Sequence, residues 1–179
     1  MNRNEKEYWE KAAAFHGHVC GGLAIGFQAS LYAIRLLGLT FSEDEQIVCI
    51  AENDACGVDA IQVILGCSIG KGNLLFHLAG KQAFSFYNRK TGNAVRLYLK
   101  TRAPEGLEKA EACRFYLDCP PEEMFAASKP KIALPERARI FRSVACSLCG
   151  EITAENKIRT EGTKPLCPDC YSSYDRFSV

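Results

Sequence analysis

Two Cys-x-x-Cys pairs stand near the end of the chain, Cys146-Ser-Leu-Cys149 and Cys167-Pro-Asp-Cys170, with 17 residues between them. Two residues between thiols let one tight turn aim both sulfurs at a single ion. Two such turns supply the four sulfurs of a tetrahedral structural zinc site. Gly150, just after the first pair, suits the positive φ that such a knuckle commonly needs. The polar stretch Glu151–Lys164 turns at Glu161-Gly162-Thr163, and Asp169–Phe177 is expected to form a closing helix. Knuckle, hairpin and helix in that order make a treble clef. So short a module buries too little surface to fold unaided, and metal binding, worth on the order of 10–16 kcal/mol in comparable peptides, must drive its folding. Two disulfides or an iron–sulfur site are the competing readings of the same four thiols.

A second constellation lies near the start, in His16-Gly-His18-Val-Cys20. If this segment is extended, its three polar side chains fall on one side at period two. Cys20 precedes an apolar helical stretch, where the helix dipole favours a thiolate. Cys56, in Glu52-Asn-Asp-Ala-Cys56-Gly-Val-Asp59, also precedes a helix, and Cys67 sits in the glycine-rich Gly66-Cys67-Ser-Ile-Gly70-Lys71-Gly72. Three thiols at element junctions and two histidines can converge on one site: a metal centre made by His16, His18, Cys20, Cys56 and Cys67. Cys20 and Cys56 are then also the candidates for nucleophilic chemistry. The alternative is that each is an ordinary buried cysteine, which is the reading for Cys49, Cys113 and Cys119. His77, set among Leu75, Phe76 and Leu78, reads as a strand residue. The Gly66–Gly72 run falls one residue short of a phosphate loop, and Gly72 stands where the magnesium-binding hydroxyl belongs.

The elements that must position these groups follow from apolar spacing. Residues 4–15 carry Tyr8, Trp9, Ala12 and Phe15 at near-helical intervals. A second helix runs from about Leu23 to Leu37, apolar almost all round and stopped by Gly38. Gln46–Ala51 reads as a buried strand and Val58–Leu65 as a short helix. Leu74–Leu78 and Gln82–Tyr87 flank Ala79-Gly80-Lys81, which predicts a hairpin, with Val95–Lys100 as a third strand of the meander. Pro104 is expected to open a helix to about Leu117. Residues 129–143 are basic and contain two prolines, and they read as a linker between a core of residues 1–128 and the cysteine-rich module of residues 144–179.

With 179 residues, 47% apolar and 24% charged, the chain has the balance of a globular protein of one ordinary domain plus an appendage. A net charge of +1 gives no field that would select nucleic acid or an anionic membrane. No apolar run approaches a membrane span, and the charged N-terminus lacks a signal core. A cytoplasmic location is the expectation, and the ten cysteines are then reduced thiols.

Phe15-His-Gly-His-Val-Cys20, the Glu52…Cys56-Gly-Val-Asp-Ala-Ile-Gln62 stretch and Gly66-Cys-Ser-Ile-Gly-Lys-Gly-Asn73 followed by Gly80-Lys-Gln-Ala-Phe-Ser-Phe86 occur in this order. Together they make the chain resemble the FmdE family, the E-subunit family of formylmethanofuran dehydrogenase, over roughly residues 10–128. The resemblance implies an α+β core, described as thioredoxin-like, with a mixed sheet flanked by helices. It also implies a metal-binding active site on His16, His18, Cys20, Cys56 and Cys67, and a C-terminal Cys-rich finger.

The combined expectation is a cytoplasmic metal-binding protein with a zinc finger and a second metal ion, zinc or another transition metal, in the core. It would act as an accessory or metal-handling partner of a redox enzyme in one-carbon metabolism. A metal- or thiolate-dependent enzyme and a protein-interaction scaffold with purely structural cysteines are the alternatives. Homodimerisation is expected for a small core with so apolar a helix.

Overall fold

A computed structural model describes residues 1–177. The chain forms two compact units, Met1–Ala138 and Arg139–Val179.

The first unit opens with helix α1 (Arg3–His16), whose start is fixed by a capping box. The Asn2 side chain accepts from the Glu5 amide at 2.9 Å, and the Glu5 carboxylate accepts from the Asn2 amide at 2.8 Å. Gly17, at φ 84°, ends the helix in the left-handed region and turns the chain sharply. Helix α2 (Gly21–Leu37) begins shortly afterwards. Nine of its residues are buried, so it is the central rod of the unit. Strand β1 (Ile47–Ala51) is buried along its whole length, and helix α3 (Gly57–Leu65) leads from it back along α2.

Strands β2 (Leu74–Phe76), β3 (Ala83–Asn88), β4 (Ala94–Leu99) and β5 (Phe125–Ser128) complete a sheet of order β2-β1-β3-β4-β5. β2 runs parallel to β1 and every other neighbouring pair is antiparallel. The expected hairpin of β2 with β3 therefore does not form. The buried β1 takes the place between them, and Ala79-Gly80-Lys81 instead carries the chain across the end of β1. Both the Ala79 and Lys81 amides donate to the Glu52 carbonyl there.

Helix α4 (Lys109–Asp118) begins five residues later than Pro104 suggested. Gly106 holds φ 83°, which a helix cannot continue through, and Glu108 with Glu111 supplies the capping box. A single turn, α5 (Pro121–Met124), then feeds β5, an edge strand with no counterpart in the expected elements. One face of the sheet carries Cys49, Ala51, Phe84, Phe86, Leu97 and Leu99 into a core shared with the helices. The other face gathers Val48, Ile50 and Tyr87 into a smaller cluster.

Residues up to Ala138 belong to this unit rather than to a free linker. The Tyr87 hydroxyl donates to the Ile132 carbonyl at 2.7 Å, and the Ala138 amide donates to the Glu45 carboxylate at 3.1 Å. The core is thus a mixed α+β fold. The narrower thioredoxin-like description stays an implication of the resemblance.

The second unit is two small hairpins. β6 (Ser143–Ala145) pairs with β7 (Ile152–Ala154), and β8 (Arg159–Glu161) pairs with β9 (Lys164–Leu166). The expected closing helix is absent among the described residues. After Cys170 the chain runs to Phe177 without regular structure. Nearly all of its side chains there are exposed, so no apolar face is buried that would stabilise a helix so short. Among the described residues no helix is long and apolar enough to cross a membrane.

Candidate metal centres

The core centre is built where three helix ends meet. His16 is the last residue of α1, Cys20 is the N-cap of α2 and Cys56 is the N-cap of α3. Two glycines let α2 and α3 cross close enough to bring these ends together. A methyl group on Gly26 would lie 1.9 Å from the Gly57 carbonyl oxygen, so the helices touch backbone to backbone. A methyl group on Gly22 would in turn meet Cys56 Cβ at 3.2 Å.

One donor atom from each of His16, Cys20 and Cys56 lies within 4.8 Å of the others, a spacing at which the three can hold one ion. The His16 imidazole is oriented from behind. Its Nδ1 lies 2.7 Å from Asp59 Oδ2, and an ionised carboxylate only accepts, so Nδ1 carries the proton. That leaves the Nε2 lone pair free, 3.9 Å from Cys20 Sγ. Asp59 is itself held by Gln62, whose Nε2 donates to the other carboxylate oxygen at 3.1 Å. A carboxylate behind a ligating imidazole is the usual support of a metal-bound histidine. Cys20 Sγ accepts the Leu23 amide at 3.3 Å, a bond that caps α2 and fixes the sulfur at its N-terminus. Burial and the adjacent Cys20 sulfur push the Cys56 thiol above its ordinary range.

The other expected members fall outside this triad. The exposed His18 ring leans against His16, with centroids 4.3 Å apart. Cys67 is fully buried, with its Sγ 3.9 Å from the Ile47 carbonyl. Burial pushes its thiol up to about 12. Cys56 and Cys67 flank opposite ends of α3, whose nine residues span about 14 Å at 1.5 Å per residue, so they do not share a site. His77 is exposed beyond the end of β2.

Asp59 is the residue that sequence reasoning overlooked. Its spacing from Cys56, three residues along the first turn of a helix, was the available signal.

A cleft of about 350 Å³ opens onto the centre, with His16, Cys56 and Asp59 in its wall. Three protein donors with space beside them are the pattern of an open metal site, whereas four donors make a closed one.

The second centre is closed. Cys146, Cys149, Cys167 and Cys170 bring their sulfurs within 4.8 Å of one another and can bind a metal. Cys149 and Cys167 Sγ are 3.9 Å apart, close to the ~3.8 Å edge of a tetrahedron with 2.3 Å metal–sulfur bonds. The first knuckle closes between β6 and β7, with the Gly150 amide on the Cys146 carbonyl at 2.9 Å and Gly150 at φ 76°. Backbone amides of Cys149, Cys167 and Leu148 lower the Cys146 thiol to about 6. The neighbouring sulfurs push Cys170 up to about 12.

The model of the family described as "FmdE, Molybdenum formylmethanofuran dehydrogenase operon" matches residues 15–134, a span that holds all three core donors and Asp59. The chain belongs to the FmdE family.

The crystal structure of an FmdE-like protein of the tungsten formylmethanofuran dehydrogenase type, from Syntrophus aciditrophicus, is similar over nearly the whole chain. Its TM-score is 0.68 at 25% identity, over 92% of this chain and 90% of that one. A protein of Archaeoglobus fulgidus named "Probable S-adenosyl-L-methionine-binding protein" is 28% identical over 92% of this chain. The chain spans about half, 52%, of that relative's length. Within this FmdE core, then, the family match covers the open centre, while the closed four-cysteine cluster lies beyond residue 134 in the second unit.

Proposed function

We propose that this FmdE-family chain is a metal protein with two unlike centres, a zinc held structurally by Cys146, Cys149, Cys167 and Cys170 and a working ion held by His16, Cys20 and Cys56. The observation that carries this reading is the core triad, in which one imidazole nitrogen and two sulfurs converge and Asp59 orients the imidazole. Mixed nitrogen and sulfur donors suit zinc or another borderline-soft transition ion. A divalent ion held there offers a Lewis-acid position to a ligand entering the cleft.

The chain's own residues do the rest. Asp59 fixes the imidazole tautomer, the Leu23 amide holds the Cys20 sulfur at the α2 N-terminus, and the Gly26–Gly57 contact holds the two sulfur-bearing ends in register. In this account the protein works as an accessory or metal-handling partner of a redox enzyme in one-carbon metabolism, in the cytoplasm and as a homodimer. The formylmethanofuran dehydrogenase in the names of the family and of the Syntrophus relative supports the one-carbon part of that account.

The second reading, a metal-dependent enzyme with hydrolytic or redox chemistry, is favoured by the cleft, which gives a substrate room beside Cys56 and His16. The Cys20→Ser/Cys56→Ser double variant tests the common premise. Its full-length protein, loaded with Zn²⁺ or Co²⁺ under reducing conditions, is expected to hold one ion fewer than the parent. An unchanged metal content removes the core centre from either reading.

A further inference from the structure

The cleft beside the core centre has walls that specify more than the ion. Asp54 and Asp59 contribute its only ionisable groups besides His16 and Cys56, and among the described residues none of its lining side chains is Lys or Arg. Asp59 is occupied on both oxygens by His16 and Gln62. Asp54 is exposed in the turn that leads into Cys56, and its carboxylate is available to a ligand. The rest of the lining is largely apolar. Ile69 and Phe76 stand there 67% and 40% exposed, although side chains of their size are commonly buried. Leu74 and Val58 line the floor. Asp54 thus repels anions and the apolar lining gains by being covered.

We infer that this cleft receives a cationic small molecule with an apolar body, which lies on Ile69 and Phe76, sets its positive group against Asp54 and turns a donor atom toward the ion held by His16, Cys20 and Cys56. Phosphorylated and carboxylate-bearing compounds are disfavoured by the same Asp54 carboxylate. At about 350 Å³ the cleft sits at the lower end of the range for small-molecule sites, which limits the ligand to a single ring or a short chain. Asp54 is then a specificity-determining residue. This rests on the metal reading above, and the test keeps the two apart.

The probes are 4-(aminomethyl)benzenethiol and 4-mercaptobenzoic acid, which share a ring and a thiol and differ in the sign of their charge. Each is titrated calorimetrically into the full-length zinc-loaded protein, with zinc per chain measured before and after. The cationic probe is expected to bind about tenfold more tightly than the anionic one, the effect of one favourable and one unfavourable charge contact at a partly exposed carboxylate. Asp54→Asn should bring the two affinities together, and Phe76→Ala should weaken both. Loss of both probes together with the core ion in Cys20→Ser/Cys56→Ser places the binding at this centre.

Equal or tighter binding of the anionic probe, no effect of Asp54→Asn, or no binding of either probe to protein carrying its core ion overturns the inference. Protein that never carries the core ion refutes the metal reading instead.

Discussion

Gly26 and Gly57 pack backbone against backbone, and that contact sets the distance between the ends of α2 and α3 on which Cys20 and Cys56 sit. A methyl group on Gly26 would come within 1.9 Å of the Gly57 carbonyl oxygen, and the obstacle is backbone rather than a flexible side chain. Gly26→Ala is therefore expected to cost about 3 kcal/mol, the upper end for overpacking a well-filled core. Urea unfolding of the first unit checks this. The variant should also lose the core ion while the four-cysteine cluster keeps its own, since that cluster lies in the second unit.

Asp59 holds the His16 ring without touching the ion's position. Asp59→Asn preserves the size of the side chain and weakens the hold on the Nδ1 proton. Its affinity for the core ion is expected to fall about 10- to 100-fold, the usual cost of losing such an outer partner. Competition against a zinc-responsive chelator reads this directly, and an unchanged thermal midpoint of the apo-protein would show that the fold is intact.

A buried ion pair links Glu52, just past the end of β1, to Arg96 of β4 and offers a pH-dependent signature. Arg96 donates from Nε and Nη2 to the two oxygens of Glu52, at 2.5 and 2.9 Å, and both side chains are almost fully buried. The Arg96 guanidinium holds the Glu52 carboxyl below its ordinary value. A carboxyl with a lowered folded-state value contributes stability that is complete above its ordinary value and lost as the pH falls through the folded one. Stability should be flat in this respect near neutrality and fall in acid. Arg96→Met should cost about 3–5 kcal/mol at pH 7 by leaving a buried carboxylate unpaired. Denaturant midpoints measured from pH 7 down to pH 3 should fall less steeply for Arg96→Met than for the parent.

The thiols divide by environment, and alkylation rates should report the division. Cys49 and Cys67 are fully buried with thiols raised by desolvation, and Cys113 is nearly so. All three are expected to react with iodoacetamide only on unfolding. Cys20 and Cys56 are partly accessible and should react in metal-free protein but be protected by added Zn²⁺. Peptide mass spectrometry after timed labelling distinguishes the two groups.

Local signals carried most of these elements from the sequence. The apolar spacing puts the ends of α1 and α2 within two residues of where the structure has them, and Gly38 ends α2 as expected. The four-cysteine cluster was legible because its donors come in two tight pairs whose spacing alone makes the geometry. What stayed hidden is non-local. Nothing in Leu74–Tyr87 says that β1 will slide between two strands joined by so short a turn. Cys67 looked like a member of the core site because it lies in a motif beside the others, yet α3 holds it at the far end from Cys56. Asp59 went unweighed because its role appears only once α1 delivers His16 beside it. The tail after Cys170 has helix-compatible residues but no partner surface to order them.

The most direct test of the account is the metal content of the full-length protein purified anaerobically, determined for each element against amino-acid analysis. Two ions per chain are predicted, falling to one when Cys20 and Cys56 are both changed to Ser. One ion per chain in the parent, unchanged in that double variant, would contradict the core centre and leave only the closed four-cysteine cluster.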